Sequence, residues 1–147
     1  MLKRAVAAAA AITCTAWWVR RTFVAVTVEG HSMAPTLQPG ARVLVRRGTG
    51  GLRRGRIVVV TCPDGDTGWR GLPPAPRDLG AREWYIKRAV ALPGDAMPGV
   101  DGPTGATVPD GHLAVVGDGK FSSDSRQHGP CPDDQVLGTV VRVLGKG

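Results

Sequence analysis

Residues 83–92 read Glu83-Trp84-Tyr85-Ile86-Lys87-Arg88-Ala89-Val90-Ala91-Leu92, an apolar run that carries two adjacent basic residues and stops at Pro93-Gly94-Asp95. Aromatic and β-branched residues bounded by such a turn are typical of a β-strand. Successive side chains of a strand point to opposite faces, so Lys87 shares a face with Ala89 while Arg88 lies on the other. One of the two basic side chains must therefore point to the less solvated side.

The chain around this strand has the same strand-and-turn character. It contains 21 glycines and 12 prolines, and it shows no helical period after residue 22. Further short apolar runs occur at 22–28, 42–45, 56–61, 112–116 and 136–144. This pattern predicts a mainly β domain over residues 23–147, folded as an antiparallel β-barrel or sandwich.

Residues 1–22 form a separate unit. Ala5 to Val19 carries no charge, ends in a Trp17-Trp18 pair, and lies between Lys3-Arg4 and Arg20-Arg21. The run is shorter than the ~20 apolar residues that span a bilayer comfortably, and no small-x-small cleavage site follows it. We expect an uncleaved, single-pass helical membrane anchor, with a buried or peripheral helix as the alternative. Basic residues at both ends leave its orientation open.

The net charge of +7 suits either nucleic acid or an anionic membrane surface. The chain has no zinc-ligand spacing, no recognition-helix pattern and no interleaving of aromatic and basic residues. We therefore expect membrane lipid, bound through residues 1–22, as a partner, and no nucleic acid. No CxxC motif is present and no metal site is implied, while Cys62 and Cys131 either pair or remain free thiols.

A serine stands in an unusual position at the end of the first predicted strand. Residues 29–37 read Glu29-Gly30-His31-Ser32-Met33-Ala34-Pro35-Thr36-Leu37. At such a junction the Ser32 hydroxyl can leave the sheet while the turn exposes backbone N–H groups beside it, as a nucleophile requires. The alternative is a turn serine that satisfies local backbone groups.

The other side chains suited to catalysis are those of Lys87 and of the segment 117–130. A lysine has a pKa near 10.4, and burial can lower it far enough for the amine to act as a general base. An inward lysine that protects a sheet edge is the alternative. Ser122 is available to orient a neutral lysine, and an Asp124–Arg126 ion pair can stiffen the loop.

Taken together, these segments resemble the type I signal peptidase family, the serine-lysine peptidases of group S26. The nucleophile motif matches 32–37, the lysine motif matches 87–95, and the third motif matches residues of 117–130, in the family's order. Residues 54–60 resemble the family strand between the first two motifs. The resemblance covers residues 24 to 140.

The resemblance implies a domain on the extracytoplasmic side of the cell membrane that removes signal or leader peptides from exported preproteins. Ser32 would attack the scissile carbonyl, its backbone N–H would form part of the oxyanion hole, and Lys87 would carry the proton. Ser122, Asp124 and Arg126 would support the lysine and the loop. Met33 would line a substrate pocket that accepts small residues before the cleavage site, and no cofactor or metal is implied.

The chain departs from the family pattern at several positions. Gly30 stands where some bacterial members place a hydroxyl thought to complete the oxyanion hole, and Arg56 replaces a customary aspartate. The usual Gly-Asp-Asn-Arg reads Gly-Asp-Gly-Lys, and the stretch from there to Ser122 is one residue shorter than in the family, which leaves Ser123 as an alternative orienting residue. The short connection from 95 to 109 lacks the extra β-domain of large bacterial enzymes. In these respects the chain is similar to mitochondrial inner-membrane peptidases and small actinobacterial relatives.

Two other functions are compatible with the sequence. Self-cleaving repressors share the fold and the serine-lysine pair, but the chain has no DNA-binding helix pair and carries the predicted anchor. The second alternative is a catalytically silent or substrate-dedicated envelope protein that keeps the signal-peptidase fold. The shortened loop and Gly30 favour it.

Overall fold

The computed structural model describes residues 1–99 and 105–146 of the chain, which form seven strands and two α-helices. In chain order the elements are α1 (Leu2–Thr22), β1 (Phe23–Thr27), β2 (Ala41–Arg47), β3 (Ile57–Thr61), β4 (Trp84–Ala91), β5 (His112–Val116), α2 (Ser125–His128), β6 (Cys131–Pro132), a 3-10 turn (Asp133–Gln135) and β7 (Val136–Lys146). The predicted mainly β fold is confirmed.

The strands form one curled sheet in the order β1-β2-β7-β3-β4-β5-β6, with every neighbouring pair antiparallel. The last strand of the chain thus lies between the second and the third. Two register shifts in the β2–β7 pairing and one in the β4–β5 pairing bend the sheet. The predicted antiparallel arrangement is therefore present, as a single sheet.

Apolar side chains pack against both faces of the sheet at its centre. One cluster contains Val43, Val45 and Val59, and the other contains Val58, Val60 and Leu113. Because β3 lies between β7 and β4, all of its central valines are buried, which explains an apolar run without alternation. Each buried valine side chain contributes about 1.5–3 kcal/mol to folding, so this strand fixes the middle of the domain.

The N-terminal segment forms the predicted helix. α1 spans Leu2–Thr22, and its side chains from Lys3 to Arg21 are exposed. Among the described residues, however, there is no helix that combines the length and the apolar character needed to cross a bilayer. The predicted membrane-spanning anchor therefore has no support from this helix.

Two further expectations concern connections and cysteines. The cysteines left open in the sequence, Cys62 and Cys131, are free thiols. The short connection from 95 to 109 falls partly outside the described residues; within its described part, Ala96 pairs with Thr107. The segment 117–130 contains the short helix α2.

Candidate active site

Ser32 lies in the turn that follows β1. Gly30 has φ +72°, a left-handed conformation that suits glycine, and the next residues form tight backbone hydrogen bonds such as Leu37 N to Met33 O at 2.9 Å. Met33 and Leu37 are 1% and 2% exposed and anchor the turn in the core. Ser32 itself is half-buried, so the turn holds its backbone firmly while leaving the residue in contact with solvent.

Lys87 is the buried member of the basic pair on β4. Its side chain is 2% exposed, and its Nζ donates to Ser122 Oγ at 2.8 Å and lies 4.9 Å from the centre of the Tyr85 ring. Burial lowers the pKa of Lys87, the negative charge of Asp124 opposes that shift, and the positive charge of Arg126 reinforces it. The net shift favours a neutral amine at lower pH than in an exposed lysine.

Asp124 completes the polar chain that begins at Lys87. Its side chain is fully buried and accepts hydrogen bonds from Gly117 N, at 2.9 Å, and from Arg126 Nε and Nη2, both at 2.9 Å. Burial alone would raise its pKa, but hydrogen bonds from Arg126, the Gly117 N–H and Ser122 lower the pKa of Asp124 to about 2. Ser122 thus accepts from Lys87 and donates to a carboxylate that stays ionised.

The local sequence explains why Asp124 occupies this position. It is the N-cap of α2, and it forms a capping box in which Gln127 Oε1 accepts from Asp124 N at 2.9 Å. The alternative orienting residue, Ser123, is exposed, and its hydroxyl is 2.7 Å from His128 Nε2 rather than near Lys87. Of the two serines, the structure brings Ser122 to the lysine.

A second set of contacts fastens this loop to the turn that carries Ser32. Gly119 N donates to Ser32 O at 2.8 Å, and Thr36 Oγ1 donates to Asp118 Oδ2 at 2.6 Å. The guanidinium of Arg88 makes two bonds to Asp118, Nε to Oδ1 at 2.9 Å and Nη2 to Oδ2 at 2.5 Å. Both basic residues of β4 therefore hold the same loop, Lys87 from one face of the strand and Arg88 from the other.

Two glycines permit the close approach. A Cβ on Gly117 would overlap the Ser122 hydroxyl and come within 2.5 Å of Ser32 O, and a Cβ on Gly119 would lie 2.5 Å from His31 O. Real Cβ atoms do not come this close to an oxygen. Glycine is therefore required at both positions by the packing of the loop against Ser32, including at Gly119, where the chain departs from the family pattern.

A cleft of about 490 Å³ lies in front of Ser32, which lines it together with Gly30, Tyr85 and Ile86, and with Glu29, Glu83 and Trp84. Burial of Met33 directs that side chain into the core instead of into this cleft. The Tyr85 ring joins the cleft to Lys87, and a hydrogen bond with Cys62, together with partial burial, raises the pKa of Tyr85 to about 12.

The structure does not join every predicted partner directly. Within residues 1–99 and 105–146, the hydroxyl of Ser32 makes no hydrogen bond, and Lys87 Nζ bonds to Ser122 instead. Hydrogen bonds of a catalytic site are often long before substrate binds. In the same part of the chain, no group of three or more His, Cys, Asp or Glu side chains is placed to hold a metal ion.

Comparison with known proteins bears on this arrangement. A family model described as signal peptidase, peptidase S26, matches residues 2–102 and 96–144. The chain belongs to this family. Its relatives include Signal peptidase I U of Bacillus subtilis (strain 168), 29% identical over an alignment that covers 80% of this chain and 73% of the relative. Signal peptidase IB of Staphylococcus aureus (strain COL) is 26% identical over an alignment that covers 78% of this chain and 73% of the relative.

Membership of the signal peptidase family confirms the resemblance drawn from the three motifs. The sequence reasoning nevertheless missed several residues of the site, because their contacts join distant segments. Thr36, Arg88, Asp118 and Gly119 all lie within the three motifs, but no local pattern assigns a contact to any of them. The only available signal was the density of glycine and aspartate around 117–119.

Proposed function

We propose that this protein is a membrane-associated serine endopeptidase that removes signal or leader peptides from exported preproteins. The observation that carries the proposal is the buried Lys87, hydrogen-bonded to Ser122 on a loop that is itself fastened to the Ser32 turn. Membership of the signal peptidase family, and relatives named signal peptidase I U and IB, support this choice of reaction.

The chemistry assigned to Ser32 and Lys87 is acyl transfer. The neutral Lys87 amine takes the proton of the Ser32 hydroxyl as that oxygen attacks the scissile carbonyl. Lys87 then returns the proton to the departing amine, and the peptide C–N bond breaks to leave an acyl ester on Ser32. Water, deprotonated by the same amine, hydrolyses the ester and restores the free serine.

The environment of Lys87 supports this role because a base must be neutral before it can accept a proton. Burial lowers its pKa, whereas Asp124 alone would hold the ammonium charged. Arg126 makes three hydrogen bonds to the Asp124 carboxylate, one of them from its backbone N–H, and offsets that charge. Ser122 orients the amine, and the ion pair keeps the loop rigid without fixing a proton on the lysine.

Charge that develops on the substrate carbonyl requires hydrogen-bond donors. We assign the Ser32 backbone N–H as one donor, since it makes no hydrogen bond within the described part of the chain. Gly30 has no hydroxyl to act as the second, and loss of one such donor costs about a hundredfold or more in rate.

The acyl group of the substrate enters the cleft beside Gly30 and Ile86, and we propose that it ends in a small residue. Met33 shapes this pocket from beneath, through the backbone turn that it anchors.

The proposed location is the membrane surface, with the β domain on the extracytoplasmic side. α1 carries no charge between Arg4 and Arg20, and its exposed Trp17 and Trp18 are side chains that favour the membrane–water interface. We propose that α1 holds the protein at the membrane in this way.

The test is cleavage of a preprotein with a small-x-small site by the purified full chain in detergent. Wild type should cleave, Ser32→Ala and Lys87→Ala should each lose activity, and Ser123→Ala should retain it.

The missing hydrogen bond between Ser32 and Lys87 favours a second candidate, a catalytically silent or substrate-dedicated protein of this fold. A wild-type protein as inert as its Ser32→Ala variant on every preprotein tried would establish the silent form.

A further inference from the structure

A second cleft, of about 350 Å³, lies at the end of α1, away from Ser32. Three arginines from separate segments line it: Arg21 in the last turn of α1, Arg47 at the end of β2, and Arg77 in the loop between β3 and β4. Its floor is formed by small or apolar residues, which include Pro76 and Leu137. Guanidinium groups from three distant points of the sequence are thus brought to one concave surface.

The positive charge of this cleft is only partly compensated. The ion pairs found in the described residues use Arg54, Arg88 and Arg126, and none uses an arginine of the cleft. Asp134 is the carboxylate that lines it, and its Oδ1 accepts from Gln135 Nε2 at 3.0 Å. Three guanidinium charges against one carboxylate give the cleft a net charge of about +2.

Two of these arginine side chains, those of Arg47 and Arg21, are also held in place. Arg47 Nη1 donates to Arg77 O at 2.6 Å, which ties the end of β2 to the loop. The guanidinium carbon of Arg21 lies 4.4 Å from the centre of the Trp17 ring, which restrains that side chain on α1. Planar guanidinium groups match the geometry of phosphate oxygens through paired hydrogen bonds.

We propose that this cleft binds the phosphate group of an anionic phospholipid. α1 ends at Thr22 and β1 begins at Phe23 without a linker, so the cleft lies next to the end of the helix that carries the tryptophan pair. Because Trp17 and Trp18 favour the level of the headgroups, a helix held at the membrane places Arg21, Arg47 and Arg77 against lipid phosphates. The inference rests on the membrane association proposed above, and it does not depend on peptidase activity.

The test is binding of the full-length Ser32→Ala variant to vesicles of phosphatidylcholine, with and without phosphatidylglycerol. Binding should rise with phosphatidylglycerol, and Arg47→Gln and Arg77→Gln should each weaken it about fivefold. Arg142→Gln is the matched control, because Arg142 is an exposed arginine on β7 outside the cleft and its loss removes the same charge. The control should weaken binding less than twofold. Equal losses in all three variants would mean diffuse attraction and would overturn the proposal.

Inorganic phosphate distinguishes a lipid headgroup from a free anion. At equal ionic strength it should release the protein from vesicles more effectively than chloride, and this difference should vanish in Arg77→Gln. Thermal stabilisation by phosphate, combined with equal vesicle binding by wild type and Arg77→Gln, would assign the cleft to a free anion and refute the lipid assignment. Preprotein cleavage in detergent should be the same for Arg77→Gln and wild type, so failure of the binding proposal is separable from failure of the proposed peptidase function.

Discussion

Replacement of Gly119 by alanine tests whether the loop that carries Ser122 also positions Ser32. The added Cβ would lie 2.5 Å from His31 O and 3.2 Å from both the carbonyl carbon and the oxygen of Ser32. Loop and turn must separate by about 1 Å before carbon and oxygen reach ordinary contact. That shift also stretches the 2.8 Å hydrogen bond from Gly119 N to Ser32 O.

The losses of stability and of rate are estimated separately, from the overpacking and from the displacement of Ser32. Overpacking of this kind costs about 1–3 kcal/mol of folding free energy, which leaves a domain of this size folded. A displacement of about 1 Å between a nucleophile and its base costs about a hundredfold in rate. We therefore expect Gly119→Ala to lose far more activity than its stability loss explains. The assay is kcat/KM on a preprotein together with urea unfolding monitored by tryptophan fluorescence.

Gly65→Ala provides the matched control. Gly65, like Gly119, has no positive φ, and a Cβ at Gly65 meets nothing within 4 Å. This variant should keep the wild-type rate and stability. If folded Gly119→Ala cleaved within about threefold of the wild-type rate, the positioning of Ser32 by this loop would be refuted.

Further predictions concern the buried polar chain. Lys87→Met should abolish cleavage while leaving the free energy of unfolding in urea unchanged or raised, because a desolvated ammonium is removed. In wild type, kcat/KM should rise with pH to a midpoint below the ordinary lysine value of 10.5, since burial lowers the pKa of Lys87; a flat profile between about pH 6 and 10 with chemistry rate-limiting would contradict the lysine base. Ser122→Ala should lower kcat at least tenfold with KM little changed, whereas Ser123→Ala should match wild type, and equal rates for the two variants would remove Ser122 from the mechanism. The pKa of Asp124 is lowered from 3.8 to about 2, so the ionised carboxylate stabilises the fold fully above pH 3.8 and this stabilisation is lost as the pH falls towards 2. The stabilisation amounts to about 2 kcal/mol of unfolding free energy. The acid-dependent loss of stability should therefore be smaller in Asp124→Asn than in wild type by that amount.

The strands of this protein are predictable because their signals are local. An apolar run between turn residues specifies a strand whatever it pairs with, and the runs at 56–61 and 112–116 form strands close to the predicted limits. The pairing partners of the strands cannot be predicted in this way. β7 inserts between β2 and β3, which requires contacts between residues as distant as Val58 and Thr139, and no local pattern carries that information.

The sequence also determined which residues deserve attention at the site. A serine at a strand-to-turn junction, a lysine within an apolar strand and a Ser-Asp-rich loop are visible in the printed chain, and their order indicates the family. The pattern of β4 predicts that one basic residue points inward, because alternation separates the two faces. It does not say which face is buried, since that depends on the sheet that forms around it.

The tertiary structure alone decided the arrangement of those residues. Lys87, rather than Arg88, is buried because β4 packs between β3 and β5 with that face turned to the interior. Ser122, rather than Ser123, meets the lysine because Asp124 caps α2 and sets the direction of the loop. These outcomes depend on hydrogen bonds and burial across 30 or more residues. Local sequence specifies the chemical groups, and the packing of the whole sheet specifies which of them meet.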